Sequence, residues 1–277
     1  MIILYDHLAK KCKDVPVESS YMNLLGICFS VRKKKDIKQV IEDFFLSDKQ
    51  NLIVTVNPEM LLLSRKDPVF KKVLCSSDLV VADGIGVVYL SKICSGTPIP
   101  ERVTGNDILT FFFEIAEQYQ KKLFFLGGEG DLAKRAAMVV QEKYPHSKIQ
   151  AENGGKIVKQ TDGSWSLDPV VIHQIQAFAP DALAVALNYG RQEIFLQEIL
   201  PTFPSVKVAV GIGGAFAFLT KDLKRAPVWM QKIGLEWFWR LLQEPRRIKR
   251  IFRAVFIFPI LFIFDTIKTC FILNQED

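Results

Sequence analysis

The feature that most constrains this chain is a regular alternation of short β-branched runs with segments whose apolar residues fall at helical spacing. Tyr21 to Val31 predicts a strand, and Lys34 to Leu46 places Ile37, Val40, Ile41, Phe44 and Phe45 on one helical face. The order then repeats: Asn51 to Val56 strand, Glu59 to Val73 helix, Asp78 to Ala82 buried strand, Gly86 to Ile93 helix. Asp107 to Gln120 predicts a helix, Lys122 to Leu126 a strand, and Asp131 to Lys143 a helix that opens on an acid suited to its positive dipole end. Further strands fall at Lys148 to Ala151, Ala182 to Ala186 and Lys207 to Val210, with helices at Val170 to Phe178 and Gln192 to Leu200. Asn153 to Ser166, rich in Gly, Asp and Ser, predicts a long loop. Such an α/β chain builds a mostly parallel sheet with helices on both faces, and ligands gather beyond the carboxyl ends of its strands.

The chain is 277 residues long and 49% hydrophobic, enough for one α/β domain with an appendage. The division expected is a core over residues 1–220 and an appendage over 221–277. Five cysteines (Cys12, Cys28, Cys75, Cys94, Cys270) show no zinc or redox spacing and fit a reducing compartment. Met1 to Lys13 has the wrong order and length for a secretory signal. The longest apolar run, Ala254 to Phe264, has 11 residues including Pro259, whereas a helix needs about 20 to span a bilayer.

Polar residues cluster just after the strands. Thr55, Asn57 and Pro58 lie at the exit of one, and Asp83 and Gly84 at the exit of another. A carboxylate there, beside a glycine that admits a ligand, suits a general base; a cap or turn aspartate is the alternative. Gly127, Gly128 and Gly130, and Gly211, Gly213 and Gly214, form turns whose N–H groups suit a diphosphate, or are simply tight turns. Arg102 and the pair Arg191-Gln192 are loop residues fit for phosphate or sugar hydroxyls, or for solvent. No Asp-x-Asp occurs, and His7, His146 and His173 are scattered, so no metal site is expected. Countercharge for a leaving diphosphate then falls to arginines and backbone N–H groups.

As a set, Thr55-x-Asn57-Pro58-Glu59, Ala82-Asp83-Gly84-Ile85-Gly86, Glu101-Arg102-Val103-x-Gly105-x-Asp107, Phe125-Leu126-Gly127-Gly128 and Gly190-x-Gln192-Glu193 resemble the WecG/TagA/CpsF family of bacterial glycosyltransferases. Gly211-x-Gly213-Gly214-x-Phe216, Arg225-Ala226-Pro227-x-Trp229-Met230, Gly234-Leu235-Glu236-Trp237 and Glu244-Pro245-x-Arg247 continue the resemblance, which covers about Tyr21 to Arg250. It implies a Rossmann-like core, a UDP-sugar donor, no metal or other cofactor, and a polyprenyl-diphosphate-linked sugar acceptor at the cytoplasmic face of the membrane. Transfer would be inverting. Carried over by position, Asp83 is the base, Thr55 and Gln192 join it in the catalytic set, and Asn57 and Arg102 arrange donor and acceptor. Gly127, Gly128, Gly213 and Gly214 are the turn residues expected to bind substrate. One departure stands out: Ala217 occupies a position where the family usually has aspartate.

From Lys221 onward the composition shifts to arginine, tryptophan and phenylalanine. Between Arg240 and Arg253 there are six basic residues and one acid, Glu244. Ile248, Ile251, Phe252, Val255, Phe256 and Pro259 make an apolar stripe if a helix resumes after Pro245. Cations and aromatics on one amphipathic stretch describe a helix lying on an anionic membrane surface; docking on the chain's own core or on another subunit is the alternative. A Phe-rich face also offers a surface for homo-oligomers. Nucleic acid is not the expected partner, because the apolar residues are aliphatic and Phe rather than a stacking platform among lysines. By the resemblance, Arg240, Arg247 and Arg250 reach over the site to balance diphosphate charge. Rival readings are a nicotinamide-dependent oxidoreductase, which would need a true Gly-x-Gly-x-x-Gly, and a non-catalytic sugar-nucleotide-binding scaffold.

Overall fold

The computed structural model describes residues 20–94, 97–153, 157–160, 165–187 and 190–264. The reading of Met1 to Lys13 lies outside them. Six strands form one parallel sheet: β3 (Asn51–Val56), β4 (Leu79–Ala82), β5 (Lys122–Gly127), β6 (Lys148–Glu152), β9 (Ala182–Ala186) and β10 (Val208–Gly211). Their order across the sheet is β4-β3-β10-β9-β5-β6, with every pairing parallel. The last strand is therefore inserted at the centre. This is an α/β fold of the expected kind, although its strand order differs from the 3-2-1-4-5-6 of dinucleotide-binding enzymes.

Burial on both faces explains the near-continuous apolar strands. Leu52, Val54, Val80, Phe124, Leu183 and Ala209 pack on one face, and Ile53, Val81, Phe125, Ala184, Val208 and Val210 on the other. The first face is covered by α2 (Pro58–Ser64), α3 (Pro68–Ser76), α4 (Ile85–Cys94), α7 (Pro169–Phe178) and α8 (Arg191–Ile199). The second is covered by α1 (Lys34–Leu46), α5 (Gly105–Tyr119), α6 (Leu132–Lys143) and α9 (Ala215–Leu219).

Three expectations need correction. Tyr21 to Val31 is not one strand but an antiparallel hairpin, β1 (Tyr21–Leu24) and β2 (Ile27–Ser30), turned by Leu25 and Gly26 at positive φ. Glu59 to Val73 is two helices, because Asp67 caps the second by accepting the Phe70 N–H at 2.9 Å and Pro68 opens it. The loop read at Asn153 to Ser166 contains β7 (Ile157–Lys159), paired with β8 (Trp165–Leu167) in a second hairpin. In addition, Cys28 is disulfide-bonded, which the cysteine spacing did not announce, and the Cys75 thiol donates to Gly26 O at 3.3 Å.

The C-terminal part is helical: α10 (Val228–Lys232), α11 (Glu236–Gln243), a 3-10 turn (Pro245–Arg247), α12 (Ile248–Phe252), a π turn (Arg253–Ile257) and helix through 258–264. Pro259 has no N–H to give the Val255 carbonyl, and the wide turn lies just ahead of it. The single stripe read from sequence divides in space. Ile251, Val255 and Pro259 turn toward a cleft, and Ile248, Phe252 and Phe256 face outward, while Phe258 and Phe262, which are not part of that stripe, are buried with the first face of the sheet. No helix among the described residues is long and apolar enough to cross a membrane.

Candidate active site

The cleft opens where the carboxyl ends of β3, β4 and β10 meet the C-terminal helices, and encloses about 450 Å³. Asp83, at the exit of β4, donates its backbone N–H to Val56 O at 2.9 Å, which ties the exits of β4 and β3 together. Gly84 makes that union possible: a Cβ there would lie 2.4 Å from the Pro58 ring. The glycine thus admits its neighbouring helix and also lines the cleft. Asn57 caps α2 by accepting the Met60 N–H at 3.0 Å, while its residue also lines the cleft. Val103 donates its N–H to Ala82 O at 2.9 Å, and this holds Arg102 beside Asp83.

Burial pushes the Asp83 carboxyl up to about 6; Arg102 and Arg240 pull it down, and Glu236 and Asp107 push it up. It is therefore largely ionised at neutral pH yet still basic enough to take a proton. Four of the cleft arginines are held by carboxylates. Arg102 pairs with Glu236 at 2.6 Å, and Arg250 with Glu59 at 2.8 Å across 191 residues of chain. Arg240 and Arg247 share Glu244, at 3.0 and 2.8 Å, and Arg240 also lies over the Phe218 ring. Burial raises the Glu244 carboxyl, but hydrogen bonds from Arg240 and the charge of Arg247 outweigh this and hold it below its ordinary value. Burial and the neighbouring charge of Arg240 lower the pKa of Arg247. Two arginines around one acid leave net positive charge for an anionic ligand.

Of the residues singled out from sequence, Asp83, Asn57, Arg102, Arg240, Arg247 and Arg250 converge on this cleft. Thr55 and Gln192 do not line it. Thr55 is buried within β3, and Gln192 is buried beneath the β10 exit, where its Oε1 accepts the N–H of Gly213 at 3.0 Å and of Leu187 at 3.3 Å. The buried carboxyl of Glu193, raised to about 7 by burial, accepts the Gln192 amide and the Gly190 N–H, both at 2.7 Å. Gln192 therefore braces the glycine turn from below. The turn glycines also have internal partners: Gly128 gives its N–H to Ala186 O at 2.8 Å, and Gly214 abuts the Arg240 guanidinium. Gly127, with φ of 106°, brings β5 against β9 so closely that a Cβ would lie 2.4 Å from Ala186 O.

Sequence reasoning did not single out Glu59, Glu236 or Glu244 as site residues, nor the aromatic walls Tyr89, Trp237 and Trp239. Only Glu244 carried a sequence signal, three residues before Arg247, whereas Glu59 and Glu236 meet their arginines through tertiary contacts. Among the described residues, no group of three or more His, Cys, Asp or Glu side chains converges.

Comparison with known proteins agrees with this geometry. The description of the Glycosyl transferase WecG/TagA/CpsF family matches residues 22–269. The chain is 33% identical to the N-acetylglucosaminyldiphosphoundecaprenol N-acetyl-beta-D-mannosaminyltransferase of Bacillus subtilis (strain 168), over 76% of this chain and 79% of that one. It is 35% identical to the Bacillus spizizenii enzyme of the same name, over 74% and 76% of the two chains. The Staphylococcus aureus (strain MRSA252) enzyme of that name is 28% identical over 83% of this chain and 87% of its own.

Proposed function

We propose, from the premise that this chain belongs to the WecG/TagA/CpsF family of glycosyltransferases, that it moves an N-acetylmannosamine-type hexose from a UDP donor to a polyprenyl-diphosphate-linked sugar. The observation that carries this reading is the ionisable Asp83 in a cleft ringed by Arg102, Arg240, Arg247 and Arg250. Asp83 takes the proton of the acceptor hydroxyl as that oxygen bonds to the anomeric carbon of the donor sugar. The carbon–oxygen bond to UDP breaks, and UDP leaves with the electron pair and its charge balanced by the arginines. One displacement inverts the anomeric centre. The names of the relatives support both the hexosamine and the lipid-diphosphate acceptor. Countercharge from arginine supports a transfer without a divalent ion, so excess EDTA should leave the rate unchanged.

Asn57 and Arg102 would hold the donor and acceptor, while Thr55 and Gln192 act through the strand exits they support. Ala217 is half-buried one turn into α9, between the cleft residues Ala215 and Phe218. Ala217→Asp is expected to leave the fold intact and tighten UDP binding by about tenfold, the worth of one hydrogen bond to a charged group. Unchanged or weaker binding by calorimetry would contradict this.

The outward face of Ile248, Phe252 and Phe256, flanked by exposed Arg246, Lys249 and Arg253, supports peripheral attachment to the anionic cytoplasmic leaflet. Replacing the three cations by glutamine should weaken flotation with phosphatidylglycerol vesicles about a hundredfold, since each contributes about 1 kcal/mol, or about fivefold, near such a surface. Equal flotation of variant and parent would rule out that electrostatic share.

The deciding test of function is UDP release from a panel of UDP-sugars, with a short-chain prenyl-diphosphate N-acetylglucosamine as acceptor. Acceptor-dependent release with one donor is expected. UDP binding without release from any donor would favour a sugar-nucleotide-binding scaffold instead.

A further inference from the structure

Beyond the arginines, the cleft changes character. On the C-terminal helix Ile251, Val255 and Pro259 line it at i, i+4 and i+8; on α4 Ile85 and Tyr89 line it at i and i+4. Each set is one face of its helix, so the cleft has two apolar walls. The C-terminal wall rises over eight residues, or about 12 Å at the rise of an α-helix. One end of it starts beside Arg247 and Arg250, the cations that face a diphosphate in the reading above. On the facing wall Tyr89 is 49% exposed, and the C-terminal helix carries exposed Phe252, Phe256 and Ile260 on its outer side. Polar walls would serve a sugar or a nucleotide. Apolar walls running from a diphosphate site to an exposed apolar face serve neither.

We propose that this apolar arm of the cleft is a subsite for the first isoprenoid units of the acceptor lipid, the part adjoining its diphosphate. The occupant is set by two observations together: the arginines at the inner end complement the diphosphate, and the outer end is continuous with the apolar face that a bilayer would meet. The arm then reads the lipid as well as the sugar. It gives the acceptor a single orientation, with its diphosphate against Arg247 and Arg250 and its hydroxyl toward Asp83. Apolar burial also provides binding energy remote from the reacting atoms, which helps hold them in place.

This inference rests on the proposed transfer to a lipid-diphosphate acceptor, and the test separates the two. The full-length protein is assayed in solution, without vesicles and below the micelle concentration, with N-acetylglucosaminyl diphosphate carrying either a methyl or a farnesyl group. No transfer to either acceptor defeats the underlying function. Given transfer, the farnesyl acceptor is expected to show a kcat/KM at least a hundredfold above the methyl one. The variants Val255→Asn and Tyr89→Ala are expected to bring that ratio down by tenfold or more each, through KM for the farnesyl acceptor. Tyr89 is half-exposed on a helix that tolerates alanine, so its variant keeps the test open should Val255→Asn fail to fold. A ratio near one in the parent, or a high ratio unchanged in both variants while Phe252→Ser with Phe256→Ser lowers it, would overturn the subsite; the second pattern would assign chain preference to the outer face.

Discussion

Asp83→Asn is expected to lower kcat a hundred- to ten-thousand-fold while UDP still binds, because the amide keeps the shape of the carboxyl but cannot accept the acceptor proton. The pH profile of the parent should share this origin. As the proposed base, Asp83 would act only when ionised, so kcat/KM should climb through pH about 6 and level off above it, and the variant should lose that limb. Stability should move the other way. The folded pKa of Asp83 lies above its unfolded value, so the carboxyl costs nothing below about pH 4, and its penalty grows as pH rises through 6. The neutral amide escapes this, and at pH 7.5 the variant should be more stable by about 1–3 kcal/mol. Denaturation curves at pH 4 and 7.5 would check the sign. A variant that transfers sugar at the parent rate would remove Asp83 from the chemistry, whatever its stability.

Gly127→Ala is expected to destabilise the protein by about 3 kcal/mol or more, because two separate penalties fall on one methyl group. The first is conformational: φ of 106° is a region that side chains rarely enter. The second is steric. A Cβ would lie 2.4 Å from the carbonyl oxygen of Ala186, and that oxygen is backbone, held at its place by the Gly128 N–H and by the register of β5 against β9. Neither partner can swing aside as a side chain would. By contrast, Gly128→Ala meets the Leu132 side chain, which can shift, and should cost less despite its own positive φ. Urea midpoints for both variants would test the ranking. A Gly127→Ala protein as stable as its parent would show that the β5–β9 exit is looser than drawn. Activity should fall in step with folded fraction, because Gly127 touches the site only through the sheet.

The contrast between these two residues shows how far the chain could be read directly. Strand and helix were legible wherever burial imposes a period. α1 and β3 fall at their expected bounds, and the six-stranded core follows from apolar runs that only a sheet covered on both faces explains. Asp83 was legible as a polar residue at a strand exit. Thr55, near the end of its strand, and Gln192, in the loop-to-helix stretch after another, were equally polar, yet they are buried and do not line the cleft. Sequence position cannot separate these cases, because whether a side chain at a strand exit meets solvent or a neighbouring turn depends on the strand beside it. Gly84 was read as room for a ligand and lines the cleft, yet its missing side chain also makes room for Pro58, and Gly127, read as a turn that suits a diphosphate or as a tight turn, makes room for β9.

What the sequence by itself determined is the alternating α/β plan, the polar residues at strand exits, and a basic aromatic C-terminus. All three depend on local periodicity and composition, which survive in one dimension. Only the tertiary structure decided that β10 enters the middle of the sheet, that Arg250 crosses 191 residues to Glu59, and that one apolar stripe divides between cleft and exterior. These arise from contacts between segments distant in sequence. Their free energy comes from matching shapes and charges that no single segment contains.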